Sequence, residues 1–203
     1  AYTYQLLSDV VAMPKTMAFL DPEGPYAEFV EKTKPEILQT IATEFEYPVV
    51  LKKNAGSLGS NVFVCQDATQ VERAVTTIFD QHSSAYDYVV LAQQAINIQS
   101  EWRVLMLHGE LQFMYRKDTS QATFTGNLSP LHWEGGKAVL ETDSKLQKEI
   151  SAFLAPIFTK WQLPYGGFDV VRDEAGMLWL LEINSHPAFA HFLKDCNTEP
   201  LQN

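Results

Sequence analysis

With 203 residues, 46% of them hydrophobic and 20% charged, the chain can bury a core and has an ordinary globular composition, in one domain or two small ones. Its formal net charge of −10 argues against a nucleic-acid or other polyanion-binding surface, while leaving room for a local basic cleft that holds one nucleotide. No apolar run approaches the ~20 residues of a membrane span, no signal-peptide pattern opens the chain, and Cys65 and Cys196 stand apart without metal spacing, so a soluble protein with free thiols in a reducing, cytoplasmic compartment is expected.

Tyr4, Leu7, Val10 and Val11 recur at helical spacing and Pro14 stops the run, which predicts a short helix over 2–12. A strand over 16–20 leads into the turn cluster Asp21-Pro22-Glu23-Gly24-Pro25, and 26–45 has helical spacing interrupted near Pro35. A strand over 47–52, a Gly/Ser-rich loop over 54–61 and a return strand over 62–65 follow. Asp67 or Thr69 caps a helix carrying Val71, Ala74, Val75, Ile78 and Phe79, and 88–92 is apolar enough for a buried strand. Residues 102–107 and 111–116 form a hairpin about His108-Gly109-Glu110, a polar loop spans 117–136, and Asp143 opens a helix through Ile157. The closing hairpin joins Gly166–Arg172 to Leu178–Pro187 across Asp173-Glu174-Ala175-Gly176. Helices interleaved with hairpins, rather than strict βαβα alternation, predict an α+β fold with antiparallel sheets and disfavour a parallel Rossmann sheet.

Two stretches carry chemistry. In the last hairpin Asp169 is brought back towards Glu182, and Glu182 and Asn184, two apart on one strand, share a face. Three such oxygen donors suit a hard cation such as Mg²⁺, and polar groups set into the apolar run Trp179–Ile183 are costly without partners; as bare spacing they are equally polar residues at a strand end. The second stretch places Lys52 at a strand end before Asn54-Ala55-Gly56-Ser57-Leu58-Gly59-Ser60-Asn61. Small residues let backbone amides approach an anion and lysine adds a point charge, so this reads as a phosphate-covering flap or as an exposed hairpin turn; it lacks the Gly-Lys-Ser/Thr order of a P-loop. Together, phosphate donors and metal ligands are what nucleotide-dependent phosphoryl transfer requires. His186 and His191, five apart, do not have zinc spacing.

With these residues in hand, the chain resembles the ATP-grasp superfamily over nearly its whole length, and within it most nearly the ribosomal-protein glutamate ligase type. Gly167-Phe168-Asp169-Val170-Val171-Arg172 with Leu181-Glu182-Ile183-Asn184-Ser185 is the most specific part. The resemblance implies an ATP-grasp fold in which two α+β subdomains with antiparallel sheets hold ATP between them: 1–92 with the phosphate-covering loop 54–61, and 93–203 with the Mg-binding hairpin 166–187. It implies ATP and two Mg²⁺ ions, held by Asp169, Glu182 and Asn184. Lys52 and Gly56, Ser57, Leu58, Gly59 and Ser60 would contact the ATP phosphates, Gln93, Gln94, Ala95 and Ile96 would form the adenine hinge, and Glu101 would bind the ribose. Arg103, Arg116 and Asn127 would serve the phosphates, the acyl phosphate and the acceptor side. Asn61 stands where relatives tend to have Gly, Ala55 where they often carry Glu, and Thr125 where glutamate ligases have Arg, so glutamate specificity does not carry over.

The activity so implied is an ATP-dependent carboxylate-amine ligase working through an acyl phosphate on an amino acid or peptide. A non-catalytic ATP-binding module and a kinase on the same fold are the alternatives. A small-molecule or peptide carboxylate and a nucleophilic acceptor are the expected partners, with neither nucleic acid nor membrane. The family's N-terminal substrate domain is absent from this sequence, so a longer parent chain or a homo-oligomer is expected to complete the protein.

Overall fold

The computed structural model describes residues 2–55, 61–84, 86–127, 129–187 and 189–196. The chain divides into two compact units, Pro14–Ile96 and Tyr2–Met13 with Asn97–Asn203. Residues 2–13 pack with the second unit: Leu7, Val11 and Met13 sit in its core, and Leu180 N donates to Ala12 O at 2.9 Å.

The first unit contains β1 (Thr16–Leu20), α2 (Lys34–Glu44), β2 (Val49–Lys53), β3 (Val62–Cys65), α3 (Ala68–Phe79) and β4 (Val89–Gln94), numbered after α1 (Tyr2–Leu7) of the second unit. Its strands form an antiparallel sheet in the order β1-β4-β2-β3. Pro35 does not interrupt a helix; it opens α2, where its missing N–H costs nothing, behind a capping box in which Thr33 N donates to Glu36 Oε2 at 2.7 Å. Asp67 caps α3 through Gln70 N at 2.9 Å. One sheet face, carrying Phe19, Val49, Leu51 and Ala92, is covered by Ile37 and Ile41 of α2 and by Val71, Val75 and Ile78 of α3. The opposite face carries Thr16, Lys52 and Gln93, because side chains alternate along each strand.

The second unit contains β5 (Ile98–Leu107), β6 (Glu110–Asp118), β7 (Lys137–Leu140), α4 (Ser144–Lys160), β8 (Tyr165–Asp173), β9 (Leu178–Asn184) and α5 (Ala190–Asp195). All five strands are antiparallel, in the order β7-β6-β5-β8-β9. On one face Trp102, Val104, Met114, Phe168, Val170 and Leu180 pack against Ile150, Leu154 and Ile157 of α4. The other face is apolar at one end only, where Leu105, Phe113 and Tyr115 meet Phe192 of α5. β7 and α5 have no counterpart in the sequence expectation, and β6 runs on to Asp118, so the expected loop at 117 begins two residues later.

Candidate active site

The charged end of that second face holds the site. Cross-strand pairs Arg103 with Asp169, and Asp169 with Glu182, place these side chains on one surface of the sheet. Counting back along β8 and β9 from Arg172 opposite Leu178, a regular ladder would set Asp169 opposite Leu181; a bulge between Asp169 and Val170 inserts one residue and sets it opposite Glu182 instead. Leu178, Leu180 and Ile183 thereby all serve the core under α4, and Glu182 and Asn184 turn to the Asp169 side. Gly167, opposite Asn184, cannot carry a side chain there: a Cβ would lie 2.6 Å from Pro187 Cβ and 3.2 Å from Arg103 Cδ.

Asp169 is 4% exposed and is held by two cations. Arg103 donates to both carboxylate oxygens, Nε to Oδ1 at 2.5 Å and Nη2 to Oδ2 at 2.9 Å, a bidentate fork. Lys117 Nζ lies 3.2 Å from Asp169 Oδ1 and also donates to Glu101 Oε1. Burial works against ionisation of Asp169, but the charges of Lys117 and Arg103 outweigh it and hold its pKa below the usual carboxylate range. For Glu101 burial wins over Lys117 and its pKa is raised. Burial likewise opposes the charge on Lys117, yet Asp169 and Glu101 keep it protonated, above the ordinary lysine value. Two cations and two carboxyls thus form a buried network in which each group satisfies another.

Asn184 Nδ2 donates to Glu182 Oε1 at 2.9 Å, so the three expected metal ligands stand side by side on β8 and β9. Among the described residues no cluster of three His, Cys, Asp or Glu side chains is arranged to hold a metal; the set here is two carboxylates and an amide. Oxygen donors of this kind fit Mg²⁺, which takes few protein ligands and leaves room for phosphate. Asp169, Glu182 and Asn184 are the residues that would hold it.

Sequence reasoning placed Arg116 at this site, and the register does not. Trp102 faces Arg116 and Arg103 faces Tyr115, so Arg116 lies on the α4 side of the sheet, paired with Asp118 at 3.2 Å. The cation that β6 sets on the site face is Lys117, whose side chain is 5% exposed. The sequence pattern ends the strand at residue 116, so strand parity gives residue 117 no face there.

In the first unit Lys52 Nζ donates to Gln93 Oε1 at 3.0 Å, Gln93 Nε2 to Thr16 Oγ1 at 2.8 Å, and Thr16 Oγ1 to Pro14 O at 2.9 Å. This chain of hydrogen bonds sets the lysine at the end of β2 against the end of β4. Asn61 takes a φ of 56°, a left-handed conformation that asparagine adopts more readily than most residues.

The profile of the RimK-like ATP-grasp domain family matches residues 21–200. This chain belongs to that family. The fold agrees: solved structures alike in architecture include the VanG D-Ala:D-Ser ligase of Enterococcus faecalis (TM-score 0.67, 16% identity, 92% of this chain and 51% of that one). The D-alanine–D-alanine ligase of Bacillus anthracis is similar at TM-score 0.64 and 15% identity over 94% of this chain and 57% of that one. The ATP-grasp ligase PsnB, solved with a minimal precursor, is similar at TM-score 0.59 and 17% identity over 97% and 55%. An uncharacterized Mycoplasma pneumoniae protein is 20% identical over 187 residues, 92% of this chain and 60% of that protein. The chain therefore spans between about half and three fifths of the proteins it matches.

Within this ATP-grasp chain the remaining expected residues fall as follows. Gln93 and Gln94 end β4 with side chains on opposite faces, and Gln94 Oε1 accepts Lys15 N at 3.3 Å; Ala95 and Ile96 lead to the second unit at Asn97. Glu101 lies on the site face but is bonded to Lys117. Asn127 is built into its own loop, its Oδ1 accepting Ser129 N at 2.8 Å and its carbonyl accepting Trp133 Nε1 at 2.6 Å, and these bonds do not join it to Asp169. Gly56, Ser57, Leu58, Gly59 and Ser60 lie outside the described residues. Cys65 and Cys196 are free thiols, and among the described residues no helix is long and apolar enough to cross a membrane.

Proposed function

We propose that this chain is the ATP-handling part of a carboxylate-amine ligase that works through an acyl phosphate. The observation that carries the reading is the joint placement of Asp169, Glu182 and Asn184 on one face with Arg103 and Lys117 beside them. In support, the relatives named as ligases join D-Ala to D-Ala or to D-Ser, reactions of small carboxylates.

In the proposed sequence, a substrate carboxylate oxygen attacks the γ-phosphorus of ATP, the bond from phosphorus to the bridging oxygen breaks, and ADP leaves. An amine then attacks the carbonyl carbon, the C–O bond to phosphate breaks, and inorganic phosphate departs while the amine loses a proton to solvent. A free carboxylate is a poor electrophile, and the acyl phosphate, a mixed anhydride, supplies the leaving group. Mg²⁺ bound by Asp169, Glu182 and Asn184, as one ion or two, supplies neutralisation of phosphate charge. Arg103, aligned by its bidentate grip on Asp169, and Lys117 are fixed cations that need no reorganisation when charge moves to the transferred phosphoryl group. Lys52, steered by Gln93, is a cation suited to a phosphate within the first unit.

Asp169→Asn and Glu182→Gln are each expected to lower Mg-dependent ATP turnover about a hundredfold, since both remove a charged donor without changing shape. Turnover at the wild-type rate in both would remove the assignment. Mass spectrometry of products after incubation with Mg-ATP and mixed amino acids and peptides is expected to show a ligated product with free phosphate; a stable phosphorylated product would establish a kinase instead.

A further inference from the structure

A second constellation lies where α5 meets the loop between β6 and β7, among residues that play no part in the ATP reading. His132 closes the short 3₁₀ turn Pro130–His132 in that loop, and His191 stands in the first turn of α5. Far apart in the chain, the two imidazoles meet, with ring centres 5.1 Å apart and ring planes at 82°. Of the five histidines they alone make a ring contact with each other among the described residues.

Each histidine is anchored by a buried neighbour. Leu131 and Phe192, 9% and 0% exposed, belong to one apolar cluster with Leu105, Phe113 and Tyr115, so the backbone under both rings is fixed. The rings themselves are half-buried and reachable from solvent, and none of their four nitrogens takes part in a hydrogen bond among the described residues. Burial, and after it the charge of His132, lowers the His191 pKa; Asp195 opposes this shift and Lys194 adds to it. His191 is therefore neutral at pH 7, the form in which an imidazole ligates a metal.

Imidazole nitrogen suits Zn²⁺ and its neighbours in the first transition row. With each nitrogen about 2.0–2.1 Å from one tetrahedral Zn²⁺, two ligating rings have their centres about 5 Å apart. The observed separation matches. The Cβ–Cγ bond points at the ring centre, so turning either ring about it swings a nitrogen toward a shared point and leaves that separation unchanged; this torsion is broad in histidine. No third His, Cys, Asp or Glu completes a cluster among the described residues, so water fills the remaining positions. We propose that His132 and His191 bind one Zn²⁺ ion between them, clamping α5 to the loop between β6 and β7.

The test is a titration of the 203-residue chain with ZnCl₂ at pH 7, in excess MgCl₂ to occupy oxygen-donor sites, read by long-range ¹H–¹⁵N correlation of the imidazole nitrogens. One nitrogen of His132 and one of His191 are expected to shift together and saturate at one Zn²⁺ per chain, with the rings of His82 and His108 unmoved. In calorimetry His132→Gln and His191→Gln should each weaken binding about tenfold or more, since losing a ligand costs at least as much as losing a group that supports one; His82→Gln should not. A shift at only one of the two rings, shifts over all the histidines, no saturation, or affinity unchanged in the folded variants would overturn the site, as would binding that only Cys196→Ser abolishes. The imidazole spectra use the unaltered chain and decide the matter even where a variant does not fold. None of these readouts uses ATP, so they stand or fall independently of the ligase reading.

Discussion

Asp169 and Asp21 are equally buried, at 4% exposure, and sit in opposite surroundings. Asp169 has a bidentate arginine and a lysine on it, and its pKa lies below the ordinary value; Asp21 has one backbone amide and an orphan oxygen, and its pKa lies above. Burial alone therefore does not say what an aspartate is for. The partners do: Asp169 is balanced by two cations, whereas the second oxygen of Asp21 has no donor among the described residues.

The largest effect is expected where compensation is removed. Lys117→Met leaves Asp169 and Glu101 buried together with only Arg103, and should cost about 3–5 kcal/mol in urea unfolding, whereas Lys117→Arg should retain most of the stability. A loss of under about 1 kcal/mol in Lys117→Met would break the contrast. Asp21→Asn should do the reverse, raising stability by about 1 kcal/mol at pH 7 because a buried carboxylate with an unmade bond becomes a neutral amide.

pH sharpens the same comparison. Asp169 has a lowered folded pKa, so its contribution is complete above the unfolded value of about 3.9 and is lost as pH falls through the folded value. The destabilisation caused by Asp169→Asn should accordingly shrink in acid. Asp21 has a raised folded pKa, so its cost is absent below about 3.9 and grows as pH rises through the folded value. The advantage of Asp21→Asn should therefore vanish in acid as well, from the opposite sign; unfolding of both variants and wild type at pH 7 and in acid measures this. The smallest effect belongs to Arg116→Gln, on the α4 side of the sheet and 40% exposed in its side chain, which should shift stability within about 0.5 kcal/mol. It should leave ATP turnover within a few-fold, and a large loss would return Arg116 to the site.

Much of this was legible in the residues. Glu182 and Asn184 stood out as polar interruptions of an apolar strand, and Lys52 as a lysine at a strand end, because a costly residue in an apolar pattern is a local signal. Lys117 was not legible: it lies one residue past the expected end of its strand, and only the extension of β6 to Asp118 gives it a face. Asp21 lies in the turn run Asp-Pro-Glu-Gly-Pro, and nothing in that run shows that its second oxygen is buried without a donor.

By itself the sequence determined the α+β class and the antiparallel hairpins, since these follow from periodicity and turn chemistry over short spans, and its motifs carried the family resemblance. Tertiary structure decided which side of each strand those groups occupy. The bulge that sets Glu182 rather than Leu181 opposite Asp169, and the register that turns Lys117 inward and Arg116 away, are relations between strands up to 66 residues apart in the chain, as Arg103 and Asp169 are. A shift of one residue in such a pairing exchanges the two faces of a strand, and no local pattern fixes it.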